Sequence, residues 1–214
     1  MLAAAAIVVA GVAATSGANA APPPGATARC NDGTYSFSRH HSGTCSHHGG
    51  VAVWLDGSSS ASLNLGSTIL LGARSRVSGC RPGAEPDRRC SPGAYSTGLT
   101  KQVICSPSFR TGAIRNVPQT EKFAVEREYG MPAAYYGRTM EIDHIVSLEL
   151  GGSNTIANLY PEPGAGAANY HIKDRLENRL HALVCSGAIM LRAAQSGIAR
   201  DWEALYRHVF GVLP

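Results

Sequence analysis

The sequence predicts an α+β protein in which a small N-terminal module precedes a larger C-terminal domain. Hydrophobic residues make up 44% of the 214 residues and charged residues 16%, a composition that supports a globular core. The hydrophobic pattern over residues 141–185 predicts the order strand, turn, strand, helix. Six cysteines, two of them at Cys30 and Cys45, predict that a disulfide staples the small module.

The length and composition of the chain divide it into four segments, of which the first is residues 1–20. The chain has room for one ordinary domain of about 100–150 residues and a smaller unit. A module rich in Cys, His and Gly occupies residues 28–55, and a folded domain occupies residues 99–214. Between them, residues 56–98 are rich in Ser, Gly, Pro and Arg, which predicts a linker with a small disulfide loop.

The first twenty residues have the pattern of a secretory signal peptide. Residues 2–14 are Ala, Ile, Val and Leu apart from Gly11, and the triplet at 18–20, Ala-Asn-Ala, fits a cleavage site. The absence of Lys or Arg before the apolar run departs from the usual signal pattern. This run is shorter than the ~20 residues that span a bilayer. The pattern predicts a secreted or periplasmic protein with no stable membrane insertion after cleavage.

The distribution of charge gives a weak indication of the partner. The formal net charge is +4, but residues 99–214 contain 12 Lys and Arg against 11 Asp and Glu. The positive surplus therefore lies upstream, notably in Arg74, Arg76, Arg81, Arg88 and Arg89. Global charge alone does not predict nucleic-acid binding, for which a local basic face is needed.

The cysteines of an exported chain favour disulfides. Sequence proximity and the division into segments favour the pairs Cys30–Cys45, Cys80–Cys90 and Cys105–Cys185. A zinc site is the alternative, but no two cysteines have the CxxC spacing of a zinc finger.

The N-terminal module combines turn signals with clustered histidines. Residues 51–55 have the pattern of a short strand, and His40, His41, His47 and His48 lie around the second cysteine. The histidines are interpreted as loop residues, with a transition-metal site as the alternative. The pattern of residues 28–51, ARCNDGTYSFSRHHSGTCSHHGGV, resembles a small domain of unknown function in secreted bacterial proteins. That resemblance implies no activity.

In the C-terminal domain the periodicity predicts a series of strands and helices. We expect strands at 101–105, 141–150 and 158–160, with the last ending at Pro161. Helices are expected at 121–129, 169–185 and 198–210. One face of the helix at 169–185 carries Leu176, Leu180, Leu183 and Val184.

Chemically distinctive residues follow this strand, turn, strand and helix in order. They are Asp143-His144 with Ile145-Val146, then Gly151-Gly152, then Asn158-Leu159, then Lys173 in the helix. In this order and spacing, residues 103–210 resemble the HNH endonuclease family, and residues 173–202 resemble its exported bacterial members. The resemblance implies a ββα-metal core, in which a β-hairpin packs against a helix, with additional helices around it.

The resemblance also implies roles for individual residues. Asp143 would bind a metal ion, His144 would act as general base, and Asn158 would hold the hairpin loop and orient the imidazole. A histidine suits the task because its unperturbed pKa of about 6.5 lies near working pH. Adjacent residues of a strand face opposite sides, so Asp143 and His144 share a site only if the strand is irregular.

The third family position, at the start of the helix, has two candidates. His171 and Asn169 both lie near that position, and we expect His171 to be the metal ligand and Asn169 to be the helix cap or a second ligand. A site of this composition suits Mg²⁺, Mn²⁺ or Zn²⁺. Lys173 and Arg175 are candidates for binding substrate phosphates, and a solvated helix face is the alternative.

Together these features predict an exported, metal-dependent endonuclease that hydrolyses DNA, or RNA, without sequence specificity. The expected partners are the nucleic-acid substrate and an immunity or inhibitor protein. Two other classes remain open. One is a secreted binding protein that uses a nuclease-like scaffold without catalysis, and the other is a cell-envelope adaptor whose function lies in the N-terminal module.

Overall fold

The computed structural model describes residues 22–38, 44–45, 47–55, 63–132 and 140–212. The predicted signal peptide at 1–20 and the histidines His40 and His41 lie outside the described residues. Within them the protein has an α+β architecture, with small antiparallel sheets and several helices. No helix in this part of the chain has both the length and the apolarity needed to cross a bilayer.

The secondary structure consists of short strands and mostly short helices. The strands are β1 Ala28–Cys30, β2 Tyr35–Ser36, β3 Val51–Trp54, β4 Thr68–Leu70, β5 Ala94–Ser96, β6 Met140–His144 and β7 Leu159–Pro163. The helices are α1 Lys101–Ile104, α2 Gln119–Glu128, α3 Tyr170–Ser186, α4 Leu191–Arg200 and α5 Trp202–Phe210. Short 3₁₀ turns lie at Thr111–Ala113, Leu148–Leu150 and Ile156–Asn158.

The N-terminal module is a three-stranded antiparallel sheet in the order β2-β1-β3. Its core is small and consists of Ala28 with the disulfide-bonded Cys30 and Cys45, against which Val51 and Trp54 pack. So few buried residues would not hold a fold of this size without a covalent link. The staple predicted for this module is therefore present.

The larger core is built from the β6–β7 hairpin and the helices that follow it. The hairpin is antiparallel, and helix α3 packs against helix α5 and the turn at Leu148–Leu150. The deepest side chains of this core are Ile104, Val125, Ile145, Val146, Leu150, Leu159, Leu176, Leu180, Val184, Ile198, Trp202 and Tyr206. The apolar face predicted for the long helix supplies Leu176, Leu180 and Val184 to this core.

The described part of the segment interpreted as a linker (56–98), residues 63–98, is packed into the larger core. Strands β4 and β5 pair with each other, and Tyr95 forms a further bridge to Gly152. The Cys80–Cys90 disulfide is buried, and the Ala84 carbonyl accepts hydrogen bonds from Tyr160 Oη and Trp202 Nε1. A Ser-, Gly- and Pro-rich composition is compatible with this arrangement because the disulfide and these bonds hold the segment in place.

Two predicted elements differ from the structure near the start and the end of the domain. The strand predicted at 101–105 is wrong, because residues 101–104 form α1, which buries Ile104 and presents Cys105 to α3. Tertiary contact has overridden the β-propensity of Val103 and Ile104. The single helix predicted at 198–210 is α4 followed by α5, since Asp201 is extended and caps α5 by accepting the Ala204 N–H.

All three predicted disulfides are present: Cys30–Cys45, Cys80–Cys90 and Cys105–Cys185. The last joins the end of α1 to the end of α3 and closes a segment of 80 residues. The described residues contain no free cysteine.

Candidate active site

The β6–β7 hairpin positions Asp143 and His144 near the end of its first strand. Asp143 lies opposite Tyr160 and His144 opposite Leu159 in the antiparallel register. The strand predicted at 141–150 is shorter in the structure: β6 ends at His144, and residues 148–150 form a 3₁₀ turn. Ile145 and Val146 are then both buried, which regular alternation along a strand would not allow.

Asn158 holds the loop of the hairpin from inside. Its Oδ1 accepts the backbone N–H groups of Ala94 and Val146, and its Nδ2 donates to the carbonyls of Val146 and Ser153. The side chain is fully buried, and all four bonds go to backbone atoms. These four bonds hold the loop, and none of them goes to the imidazole of His144.

The double glycine of the loop meets two backbone requirements. Gly151 has φ +77°, a left-handed conformation in which other residues are strained. A Cβ on Gly152 would lie 1.8 Å from the Val146 carbonyl oxygen, so only glycine fits. The turn predicted at these residues thus brings the loop back over its own strand.

His144 is buried, and one nitrogen of its imidazole bonds to Asn154. The distance from His144 Nε2 to Asn154 Oδ1 is 3.1 Å. Burial lowers the pKa of His144 from 6.5 to about 4, although the charge of Asp143 opposes this shift. The imidazole is therefore neutral at neutral pH, which is the form that accepts a proton.

Asp143 forms an ion pair with a lysine of α3. Lys173 Nζ lies 2.5 Å from Asp143 Oδ2 and also donates to the His144 carbonyl at 2.8 Å. Burial acts to raise the pKa of Asp143, but the charge and hydrogen bond of Lys173 outweigh it and lower the pKa to about 2. Asp143 is thus ionised, and its carboxylate forms an ion pair with the Lys173 ammonium.

Two more carboxyl groups surround the same ammonium. Glu162 Oε2 lies 3.1 Å from Lys173 Nζ, and Glu177 Oε1 lies 2.8 Å from it. Burial raises the pKa of Glu162 to about 8 and raises that of Glu177 well above its usual value, against the attraction of Lys173. Asp143, Glu177 and Glu162 in turn raise the pKa of Lys173 despite its burial. Lys173 is therefore charged.

This environment argues against the substrate-binding role predicted for Lys173. Its side chain is 1% exposed, and three carboxyl groups and a backbone carbonyl face its ammonium. A phosphate would have to displace these groups to reach it. Arg175 is exposed, but its guanidinium lies 5.9 Å from the Tyr206 ring centroid and 5.7 Å from that of Phe210. It rests on helix α5 rather than beside Asp143.

The two candidates at the start of α3 have different environments. Asn169 is the N-cap: its Oδ1 accepts the Ile172 N–H at 3.3 Å, and its Nδ2 donates to the Gly166 carbonyl at 2.7 Å. His171 is exposed, and its ring lies 4.2 Å from that of Tyr170. The ring of His171 is exposed beside that of Tyr170, whereas the amide of Asn169 is occupied by capping bonds.

A polar cavity of about 320 Å³ connects these groups. Asp143, His144 and His171 line it together, whereas Asn158 and Asn169 do not. Other ionisable side chains of its wall are Arg115, Glu141, Glu149, Asp174 and Glu177. Burial raises the pKa of Glu141, Glu149 and Asp174. None of these five was assigned a site role from the sequence. Glu141 and Glu149 have the pattern of solvent-facing strand residues, and the family motif gives no role to Arg115, Asp174 or Glu177.

A second groove, of about 790 Å³, lies beside the loop at 153–155. Glu121 is the one ionisable side chain among its described lining residues. Acid–base hydrolysis needs several convergent ionisable groups, so the smaller polar cavity is the better candidate for chemistry.

The polar cavity is lined by carboxylates and imidazoles, which are ligand types for divalent cations, but the Lys173 ammonium already pairs with Asp143 and Glu177. One described set of three His, Cys, Asp or Glu ligand atoms lies within 4.8 Å: Cys105, His181 and Cys185. The two cysteines are joined in a disulfide, so this set is not a thiolate metal site. The donors of the cavity are farther apart, and a cation there would keep water ligands, as Mg²⁺ usually does.

A comparison with known families matched the N-terminal module. Residues 23–55 match the domain of unknown function DUF3761. A search of curated proteins found no match, and a search of solved structures found none either. The nuclease resemblance of residues 103–210 therefore rests on their own sequence pattern.

Proposed function

We propose that the C-terminal domain is a metal-dependent nuclease of the HNH type that hydrolyses phosphodiester bonds outside the cytoplasm. The observation that carries the proposal is the neutral, buried imidazole of His144 beside the ionised carboxylate of Asp143, both on the wall of one polar cavity. Hydrolysis of a phosphodiester needs a proton acceptor for water and positive charge at the phosphate.

In this proposal His144 is the general base. An imidazole that is neutral at neutral pH is ready to take a proton from water. Its pKa of about 4 makes it a weak base in the free protein. A phosphodiester anion in the cavity would favour the protonated imidazole and raise this pKa toward the working range.

The positive charge has two sources in the proposal. Asp143 and His171 would hold the cation, which when bound polarises the phosphate and stabilises the leaving oxygen. Wide spacing of the protein donors favours Mg²⁺ or Mn²⁺ over Zn²⁺, because Zn²⁺ in proteins usually has three or four close ligands. Arg115 is exposed on the same cavity and takes over the phosphate-binding role first predicted for Lys173.

One observation favours a second candidate, a secreted nucleic-acid-binding protein without catalysis. The ammonium of Lys173 already neutralises Asp143, and it lies where a cation would be attracted. A scaffold of this kind would bind nucleic acid and leave it intact. The two candidates therefore differ in turnover and not in binding.

A plasmid-nicking assay on the purified protein separates them. Nicking should occur with Mg²⁺ or Mn²⁺, less with Zn²⁺, and not with EDTA. His144→Ala should lower the rate by ~10²–10⁴-fold, the usual cost of losing a positioned base. His144→Gln keeps more of the buried volume and should be equally inactive, whereas His208→Ala, on the exposed face of α5, should match the wild type. Plasmid binding without nicking under every metal condition would favour the second candidate.

A further inference from the structure

The hydrogen bonds of Asn154 determine which way its amide is turned. Its Nδ2 donates to the Ile114 carbonyl at 2.7 Å, so the nitrogen faces that oxygen. Its Oδ1 faces the Asn116 N–H at 3.2 Å and His144 Nε2 at 3.1 Å. If the amide were turned over, Nδ2 would face the Asn116 N–H and Oδ1 would face the Ile114 carbonyl oxygen. Both hydrogen bonds would then be lost. The orientation is therefore determined by two backbone groups that do not belong to the hairpin.

The loop that carries Asn154 is itself held in place. The Ser153 carbonyl accepts Asn158 Nδ2, and the Ser153 N–H donates to the Ala94 carbonyl. Thr68 and Ser153 are also linked through their hydroxyl groups. Asn154 is thus presented to His144 by a rigid neighbour, with Ile114 anchoring it on the other side.

We infer that Asn154 is the positioning residue that sets the tautomer of His144, with the proton on Nε2 and the free lone pair on Nδ1. An amide oxygen can only accept, so a neutral imidazole that bonds to it must donate from Nε2. Nδ1 is buried and has no hydrogen-bond partner among the described residues. Because this side chain lines the polar cavity, Nδ1 is the atom left to accept a proton there.

This inference differs from the role that the sequence suggested for Asn158. Asn158 makes its four bonds to the backbone and acts on His144 only through the loop. Asn154 contacts the imidazole directly. The tautomer follows from the contacts alone, whereas the statement that Nδ1 accepts the proton of water rests on the proposed nuclease function.

Nuclear magnetic resonance of the ¹⁵N-labelled protein tests the inference near neutral pH. Long-range ¹H–¹⁵N correlations distinguish a protonated ring nitrogen from an unprotonated one, and His144 is assigned by the signals that His144→Gln lacks. In the wild type Nε2 should be protonated and Nδ1 unprotonated. Asn154→Leu, which removes the acceptor, should give a mixture of tautomers.

Thr155→Ala is the matched control, because it alters the same loop without touching the imidazole, and it should leave the tautomer unchanged. A wild-type protein with the proton on Nδ1, or an unchanged tautomer in Asn154→Leu, would overturn the inference. In the nicking assay Asn154→Leu should lose about 10–100-fold in rate, the usual effect of removing a group that orients a site histidine. If the tautomer shifts as expected but no protein cleaves DNA, the positioning role holds and the nuclease function fails.

Discussion

A single lysine side chain joins groups from the hairpin and the long helix at the centre of the candidate site. Lys173 contributes the ammonium, while Asp143 comes from β6, Glu162 from β7 and Glu177 from the next turn of α3. The Lys173 ammonium also donates a hydrogen bond to the backbone carbonyl of His144. A buried charge is costly unless it is paired, so the four side chains depend on one another. We interpret Lys173 as the group that locks the hairpin against α3.

This interpretation predicts that removing the ammonium destabilises the fold. Lys173→Met keeps the length of the side chain but leaves the carboxyl groups unpaired, and it should lower the free energy of unfolding by about 3–5 kcal/mol. Urea denaturation measures the change. Arg175→Ala is the control. Arg175 lies two residues after Lys173 in α3 but is exposed, so this change should alter stability much less. A Lys173→Met protein of wild-type stability that no longer binds DNA would restore the substrate-binding role.

The buried imidazole of His144 makes stability depend on pH. Its pKa is about 4 in the folded protein and 6.5 without the burial, so between these values the unfolded chain binds a proton that the folded protein does not. The free energy of unfolding should therefore fall as pH decreases from 6.5 to 4, by at most about 1.4 kcal/mol per pH unit.

Glu162 acts in the opposite direction, because its raised pKa of about 8 favours the folded protein at the acidic end of its range. The contribution of His144 is therefore the difference between the wild type and His144→Gln. Urea denaturation from pH 4 to 7.5 should give a steeper loss on acidification in the wild type. Parallel curves for the two proteins would contradict the burial of a neutral imidazole.

At the scale of single residues, the sequence predicted the groups that belong to one motif. Asp143 and His144, the motif's first two residues, line one cavity, and Asn158 bonds to the loop that follows them. Asn154 and Arg115 could not be assigned this way, because their roles depend on segments that only the fold brings together. Lys173 was placed on a solvated or phosphate-binding face, since a helical pattern does not reveal which lysine is buried by carboxylates.

Helix α3 shows how far local signals determine an element. The sequence predicted residues 169–185, and the helix spans Tyr170–Ser186. Asn169 caps its start, and Gly187 ends it with φ +83°, in the left-handed conformation typical of a C-cap glycine. Strand β6 was predicted less well, because its end depends on bonds from Asn158, twelve residues beyond Val146.

Because Asn169 makes capping bonds and His171 does not, we expect Asn169 to affect stability and His171 to affect metal binding. Asn169→Ala should lower the free energy of unfolding by about 1 kcal/mol and reduce activity only secondarily. His171→Ala should weaken the binding of Mn²⁺ and the nicking rate with little change in melting temperature, because its ring is exposed. Calorimetric titration with Mn²⁺ and thermal melting of both variants measure the two effects. Loss of Mn²⁺ binding in Asn169→Ala, with binding retained in His171→Ala, would exchange the two roles.

At the scale of the whole molecule, covalent links connect segments whose composition is poor in core-forming residues. Residues 63–98 had the composition of a linker, yet they supply two strands and a buried disulfide to the larger core. Amino-acid composition indicates only the average tendency of a segment to be ordered. It does not reveal the disulfide, the strand pairing and the hydrogen bonds that hold this segment in the core. The pairing of the cysteines, by contrast, was predictable, because each of the segments predicted at 28–55, 56–98 and 99–214 contains two cysteines.

The Cys105–Cys185 bond should be the most important of these links for stability. It closes 80 residues, including the β6–β7 hairpin and most of α3, whereas Cys80–Cys90 closes 10. In the chain-entropy model a loop of 80 residues contributes about 4–5 kcal/mol and one of 10 residues about 3 kcal/mol, through the freedom removed from the unfolded chain.

Paired replacement of Cys105 and Cys185 by Ser should therefore lower the melting temperature more than paired replacement of Cys80 and Cys90. The Cys105–Cys185 sulfur atoms are half-buried while Cys80 and Cys90 are buried, so lost packing works against this order. Finding the larger loss in the Cys105 and Cys185 variant would thus identify loop closure as the dominant effect. The opposite order would show that the buried Cys80–Cys90 bond stabilises the protein mainly through packing at the base of α5, where Ala84 accepts the Trp202 N–H.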